Sequence, residues 1–327
     1  MAVVAEPGSV MAADDAGRMV PHARASPVDR RRATLPAVTA RSEVPTSFRS
    51  SSVRPGPLAL IRLGVSETLS RRRLIAYLVR ADLKKTGADT LLGNVWWVVD
   101  PLLQMLVYWL LVGVILNRGA STPDYPLFIF AAILPWKWFE STIKDGAQAV
   151  VSQERLIKQI YFPKLVLPLA ASMSGIVNFA FGMVPLFALI LLVYPERLSA
   201  WLLLIPVIAV VQLVFSTGLG ILVSAMNVFY RDIGNLSRHL LRFWFYLSPA
   251  LYGVDQVDKL AGKHEVIGIW FTLNPWTYIF NSYRDVIYYG RAPEWSALAV
   301  IAGVSLVILA ASIWCFKRVE PTFAKVL

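Results

Sequence analysis

The sequence predicts an all-α membrane protein with six transmembrane helices, an N-terminal amphipathic interface helix and two short re-entrant helices on the outer side. Three observations predict this class: long apolar runs, the placement of the basic residues, and a proline break late in the chain. Of the 327 residues, 56% are hydrophobic. The class therefore follows from where the apolar and charged residues stand along the chain.

The apolar runs define the spans. A run of about twenty residues, wound as a helix, matches the roughly 30 Å hydrocarbon core of a bilayer. Because the runs are continuous rather than alternating, the pattern excludes a transmembrane β-barrel. Small residues at four-residue spacing, such as Ser216, Gly220 and Ser224, predict tight contacts between helices. We place the spans at residues 95–116, 127–148, 165–193, 201–225, 236–252 and 296–316.

The region before the first span has two parts. Residues 1–57 are rich in Ala, Pro, Ser and Arg with hardly any large apolar residue, which predicts a disordered cytoplasmic tail; a partner-binding tail is the alternative. Residues 58–327 form the predicted transmembrane domain. Its first segment predicts a basic amphipathic helix on the inner leaflet, with a solvated helix packed on a soluble partner as the alternative. Its apolar side carries Leu74, Ile75, Leu78 and Leu83, opposite Arg71, Arg72, Arg80 and Lys84.

The basic residues predict the topology. The formal net charge is +11, and 15 of the 32 Lys and Arg residues precede the first span. Basic residues concentrate in cytoplasmic segments, so both termini are expected in the cytoplasm and the chain in the plasma (inner) membrane. We interpret the positive charge as a signal of topology and of contact with anionic membrane lipids, and we expect no nucleic-acid partner.

The segment 253–295 is expected outside. Two short apolar runs, at about 265–273 and 276–290, meet at Asn274-Pro275. Because proline cannot continue a helix that began before it, two short helices are predicted, forming part of an outer gate. A plain interfacial cap is the alternative. The candidate gate residues are Asn274, Pro275, Tyr283, Arg284 and Asp285.

The second span carries unusual charges. A charged side chain at mid-bilayer costs roughly 3 kcal/mol, so it must face a partner helix, a cavity or the interface. Glu140 and Lys144 stand at the spacing of a helical ion pair. These residues are candidates for the lining of a polar conduit, with an interfacial anchor as the alternative. The candidate lining is Trp136, Lys137, Trp138, Phe139, Glu140, Lys144 and Tyr246.

The sequence contains no phosphate-binding loop, nucleophile elbow or zinc-ligand cluster, so no catalytic residue, metal or cofactor is predicted in this chain. A membrane-embedded glycosyl- or acyltransferase is nevertheless the rival class. It would need clustered acidic residues or histidines near the membrane surface, and the segment expected outside offers only one spaced acidic pair, Asp255 and Asp258. An ion channel is a second rival, but no selectivity segment is found.

An ordered set of short motifs over residues 70–325 resembles the ABC-2 type polysaccharide-export permeases. Lys325 departs from the family, which usually has Asp there. The motifs are Leu92-Gly93-Asn94-Val95-Trp96 with Pro101, Leu134-Pro135-Trp136 with Phe139, Leu156-Ile157-Lys158, Tyr161-Phe162-Pro163, Asn227-Val228-Phe229-Tyr230-Arg231-Asp232, Ser248-Pro249, Asn274-Pro275 and Tyr283-Arg284-Asp285.

The resemblance implies a homodimer that exports a lipid-linked polysaccharide, with two copies of a separate cytoplasmic ATPase that bind ATP and Mg. The tail resembles that of actinobacterial members, which favours a galactan. The segment 152–161 would be the coupling helix, with Ser152 as its N-cap and with Leu156 and Ile157 filling a groove on the ATPase. The coupling residues are Glu154, Arg155, Leu156, Ile157 and Lys158.

Overall fold

The computed structural model describes residues 56–87, 90–117, 122–253, 262 and 265–327. The regular secondary structure of these residues is helical, and no strand occurs among them. The predicted tail, apart from Gly56 and Pro57, and the pair Asp255 and Asp258 lie outside the described residues. The helices are α1 Pro57–Ser70, α2 Arg72–Gly87, α3 Trp96–Tyr108, continued by a π-helix Trp109–Ile115, α4 Tyr125–Ala149, α5 Glu154–Gln159, α6 Val166–Val193, α7 Ile205–Phe229, α8 Ile233–Leu247, α9 Glu265–Leu273, α10 Pro275–Ile287, α11 Trp295–Val319 and α12 Phe323–Val326.

Four helical segments of the described chain are long and apolar enough to cross a membrane. They correspond to predicted spans one, three, four and six. The predicted second span forms α4, which has 25 residues but carries Lys137, Glu140, Lys144 and Asp145. Six membrane crossings therefore remain a prediction. The four segments are Trp96–Ile115, Val166–Val193, Ala200–Phe229 and Trp295–Val326.

The predicted fifth span is too long. Its helix, α8, ends at Leu247 rather than at residue 252. Ser248 is extended, with ψ of 153°, because Pro249 disfavours the helical conformation of the residue before it. With 15 residues, α8 is about 22 Å long, which is shorter than the hydrocarbon core.

The helix α4 forms the centre of the bundle. It packs against α3, α6, α7, α8 and α10. Small residues bring it close to α7, because a Cβ built on Gly146 would lie 3.1 Å from the carbonyl oxygen of Gly220. Ser216 and Ser224, on the same predicted small-residue stripe, are also fully buried. The predicted tight packing is confirmed at this contact.

The interface region forms two helices rather than one. The break lies at Arg71, whose φ and ψ are −102° and 20°. Hydroxyls of Ser66, Thr68 and Ser70 donate to main-chain carbonyls three or four residues earlier, a bonding pattern that bends helices. The predicted apolar side of α2 is half-buried and its basic side is exposed. Because α2 packs against α6, part of that apolar side is covered by the helix bundle. Contact of α2 with the membrane surface stays a prediction.

The bundle has two distinct ends. At one end, a buried apolar cluster joins α5, the start of α6 and the end of α11, with Ile157, Leu165, Phe316 and Phe323 among its members. At the other end, Arg197 donates to Asp124 at 2.6 Å, and Tyr288 donates to the Pro123 carbonyl at 2.6 Å. The bond to Asp124 raises the pKa of Arg197. The helix α4 runs from the second end to the first.

Candidate functional site

A line of polar side chains lies on the outside of α3, α4 and α8. Lys137 forms an ion pair with Asp100 on α3. Lys144 pairs with Glu140 at 2.5 Å, and both side chains are about one-third exposed. We call this set the polar stripe. Its members are Asp100, Gln104 and Tyr108 on α3, Lys137, Glu140 and Lys144 on α4, and Tyr246 on α8.

The residues of α3 that belong to the polar stripe were not among the residues predicted from the sequence. Asp100, Gln104 and Tyr108 recur every four residues inside the predicted first span, so they share one face of the helix. The Tyr108 and Tyr246 hydroxyls share a hydrogen bond of 3.3 Å, which joins α3 to α8. The carboxylate of Asp100 within a span was the signal that could have found this face.

Three aromatic residues of the predicted conduit lining, Trp136, Trp138 and Phe139, are packed inside the bundle, and a conduit role for them stays a prediction. Trp136 and Trp138 are each 3% exposed, and Phe139 is fully buried. The Trp136 ring lies 4.8 Å from Trp276 between ring centroids, and Trp138 stacks on Phe179, also at 4.8 Å. The physical reason is that these side chains point from α4 toward α6, α8 and α10, where they fill the core.

A cavity of about 290 Å³ lies beside the polar stripe, between α3, α4 and α6. Asp100, Lys137, Trp138 and Asn178 line it. The indole N–H of Trp138 and the amide oxygen of Asn178 are buried and have no hydrogen-bond partner among the described residues. The polar side chains of Asp100, Lys137 and Ser141, which line the cavity, can bind hydroxyl groups or water.

The proline break between α9 and α10 is confirmed. Asn274 caps α10 by accepting a hydrogen bond from the Trp276 N–H at 3.1 Å, and Pro275 occupies the first helical position. The Asn274 amide also donates to Ser248 at 2.8 Å and accepts from Trp244 at 3.0 Å. This candidate gate residue therefore ties α10 to α8. A gating role for α9 and α10 stays a prediction.

The remaining candidate gate residues hold α10 in the core. Arg284, 1% exposed, donates to the Pro249 carbonyl at 2.6 Å and the Ala250 carbonyl at 2.5 Å. Its guanidinium lies 3.7 Å from the centroid of the Phe128 ring. Tyr283 is fully buried, and Asp285 pairs with the exposed Arg291 at 2.7 Å. Arg284 thus fixes the turn that follows α8.

The predicted coupling segment is the helix α5, but two details were wrong. Gln153, not Ser152, is the N-cap residue, and no side chain caps the helix; the Ser152 hydroxyl donates to the Ala149 carbonyl instead. Ile157 is 5% exposed and packs in the chain's own apolar cluster, so its side chain is not available to a partner. Leu156 is half-buried.

The exposed side of α5 is polar. Arg155 and Lys158 are exposed, and Lys158 pairs with Glu154 at 2.7 Å. The Lys158 ammonium lowers the pKa of the Glu154 carboxyl, which stays ionised at neutral pH. Beyond the helix, Tyr161 is 94% exposed. The segment therefore presents a charged surface with an exposed aromatic ring next to it.

Comparisons with known proteins agree with this arrangement. Residues 73–288 match the family model described as ABC-2 type transporter. An O-antigen export system permease protein RfbA of Myxococcus xanthus is 31% identical over 266 residues, covering 81% of this chain and 99% of the relative. Two permeases of the same name from Klebsiella pneumoniae are 28% identical over 256 residues, 78% of this chain and 95% of each relative. This chain belongs to the ABC-2 type transporter family.

Proposed function

We propose that this chain is the membrane-spanning permease subunit of an ATP-driven exporter that moves lipid-linked polysaccharide from the cytoplasmic to the outer side of the plasma membrane. The names of its relatives, O-antigen export permeases, support the polysaccharide class. A galactan is the glycan that the tail resemblance favours. ATP and Mg would bind to the separate ATPase, and both termini of this chain would face the cytoplasm.

The polar stripe is the observation that carries this proposal. Four charged residues and two tyrosines face outward from α3, α4 and α8, and the other exposed residues of α3 are apolar. Contact with lipid tails would cost roughly 3 kcal/mol for each uncompensated charge, and the two ion pairs offset only part of that cost. A second copy of the chain facing the polar stripe would enclose it, which favours a homodimer with a polar path between the copies.

The chemistry of the polar stripe suits a glycan. Sugar hydroxyls both donate and accept hydrogen bonds, and the carboxylates, ammonium groups and phenols supply the complementary groups. Tyr246, 51% exposed, also offers an aromatic face for the C–H face of a sugar. The cavity lined by Asp100, Lys137 and Ser141 adds polar groups beside this path.

The surface of α5 supports docking of two cytoplasmic ATPase subunits, one for each copy. Arg155 and Lys158 are exposed on α5, and Tyr161 is exposed just beyond it. The buried Ile157 fastens α5 to the bundle, so a push on the exposed face reaches α6 and α11 through the same apolar cluster. This fastening is what a coupling element requires.

Depletion of the chain in cells separates the exporter from the rival glycosyl- or acyltransferase. The measurement is the amount of lipid-linked glycan in the membrane and its accessibility from outside. An exporter's loss leaves the glycan synthesised but confined to the inner side. Failure to synthesise the glycan, or loss of one acyl group with normal surface exposure, would assign a transferase and overturn the proposal.

A further inference from the structure

We propose that a groove between α1 and the C-terminal end of α11 binds an anionic phospholipid of the surrounding bilayer. The groove has a volume of about 1060 Å³. Its lining includes three apolar or aromatic residues, three basic residues and two carboxylates. The first six are Leu63, Phe229, Trp314, Arg71, Lys164 and Arg318.

Both carboxylates of the groove are already occupied. Lys317 donates to Glu67 and to Glu320, each at 2.6 Å. Glu320 also accepts the main-chain N–H of Lys164 at 2.6 Å. These contacts hold α1, the end of α11 and the loop before α6 together. They also leave neither carboxylate free to neutralise the other basic side chains.

The remaining basic side chains have no acidic partner. In the described part of the chain, Arg71, Lys164 and Arg318 form no ion pair. The Arg318 guanidinium lies 5.5 Å from the Trp314 ring centroid, and the Lys164 ammonium lies 5.6 Å from that of Tyr161. The groove therefore holds four basic residues against two acidic ones, and its excess charge is positive.

The apolar lining is open as well. Leu63 is 43% exposed and Phe229 is 38% exposed. Apolar surface beside unpaired cations at the end of a spanning helix matches the two parts of a lipid: acyl chains cover the apolar wall, and the headgroup phosphate meets the arginines. A guanidinium binds phosphate oxygens through two parallel hydrogen bonds, which suits Arg71 and Arg318.

The groove is separate from the proposed transport path. None of its lining residues belongs to α3, α4 or α8, which carry the polar stripe. This location favours a lipid of the bulk membrane over the lipid-linked substrate. The inference requires a membrane protein but not any particular cargo, so it stands or fails independently of the proposed function.

The test uses the full-length protein in nanodiscs that contain phosphatidylcholine and a graded fraction of phosphatidylglycerol. Native mass spectrometry counts the phosphatidylglycerol molecules that stay bound. Because each basic residue at a membrane surface contributes about a fivefold gain in binding, Arg71→Gln with Arg318→Gln should weaken retention about 30-fold. The matched control is Arg72→Gln with Arg80→Gln, which removes the same charge from exposed positions of α2 outside the groove and should reduce retention clearly less than the groove pair does.

A second variant tests the groove without changing its charge. Leu60 is a half-buried lining residue, and Leu60→Trp should fill the groove and also reduce retention. Equal losses in the groove and control pairs would show that net charge alone attracts the lipid and would overturn the proposal. Full retention in Leu60→Trp, or displacement of phosphatidylglycerol by a trace of polyprenyl diphosphate, would also overturn it.

Discussion

The two sides of α4 differ in burial and polarity. One side carries Trp136, Phe139 and Ile143, which are buried among aromatic side chains of α7, α8 and α10. The other carries Lys137, Glu140 and Lys144, which reach the exterior of the bundle. At about 100° per residue, the two sets point in different directions although they alternate along the chain. A single helix thus provides a rigid frame on one side and a polar surface on the other.

The largest effect is expected on the buried side. Trp136→Ala leaves a cavity between α4, α8 and α10, and truncation of a buried aromatic residue costs about 3–5 kcal/mol. We expect a lower yield of folded protein and a lower thermal midpoint in detergent, with export falling in proportion to the folded protein. A normal thermal midpoint with reduced export would instead indicate that Trp136 contacts the transported glycan.

Arg284→Met tests the packing of the same buried side at the other end of α10, beside Phe128. The substitution preserves bulk but leaves the Pro249 and Ala250 carbonyls without their donor, at about 1–3 kcal/mol for each buried group. We expect a lower thermal midpoint and easier proteolysis after α8. Arg291→Gln is the control, because Arg291 is exposed and bonds only Asp285 among the described side chains. If both variants lowered the thermal midpoint equally, the hydrogen bonds from Arg284 to the Pro249 and Ala250 carbonyls would not be what stabilises this region.

Gly175→Ala tests the packing of Trp138 with a smaller change. An added Cβ would lie 2.7 Å from Trp138 Cδ1, so the ring must move, and such overpacking costs about 1–3 kcal/mol. The matched control is Gly303→Ala in α11, where no atom lies within 4 Å of the added Cβ. Comparison of the two thermal midpoints isolates the contact. Equal midpoints would mean that the Trp138 ring is free to move.

Much of the fold could be predicted from the sequence, because the length of an apolar run and the position of a proline determine where a helix begins and ends. The proline break at Asn274-Pro275 and the bounds of the third span, 165–193 against Val166–Val193, follow from such local rules. The end of α8 was missed, although Pro249 signalled it. The motifs also identified the family correctly.

The candidate site could be predicted only in part from the sequence, because the direction in which a side chain points depends on how its helix packs against the others. Trp136 and Lys137 are neighbours in sequence, and nothing local says which one faces the core. Asp100 lies inside an apolar run, and only the packing of α3 against α4 places it beside Lys137. Ile157 likewise lies within a charged motif but packs inward, because α12 and the end of α11 cover it.

The smallest effect on stability is expected on the exposed side of α5. Arg155→Glu with Lys158→Glu changes only exposed side chains, so the thermal midpoint should stay the same while recovery of the ATPase in a pull-down falls. Ile157→Asp is the contrasting variant, which should lower the midpoint because it places a charge in the apolar cluster. Unchanged ATPase recovery in the first variant would remove α5 from the docking surface.

We propose that the transport path follows the polar stripe and not the aromatic side of α4. The most direct measurement is the rate at which lipid-linked glycan reaches the outer surface, normalised to the assembled complex, for Glu140→Leu with Lys144→Leu. Trp136→Phe, which keeps an aromatic ring in the core, is the control. We predict normal assembly and a loss of about tenfold, equivalent to one lost charged hydrogen bond in the rate-limiting state, in the leucine variant only. Normal export by the leucine variant, at normal assembly, would contradict the account.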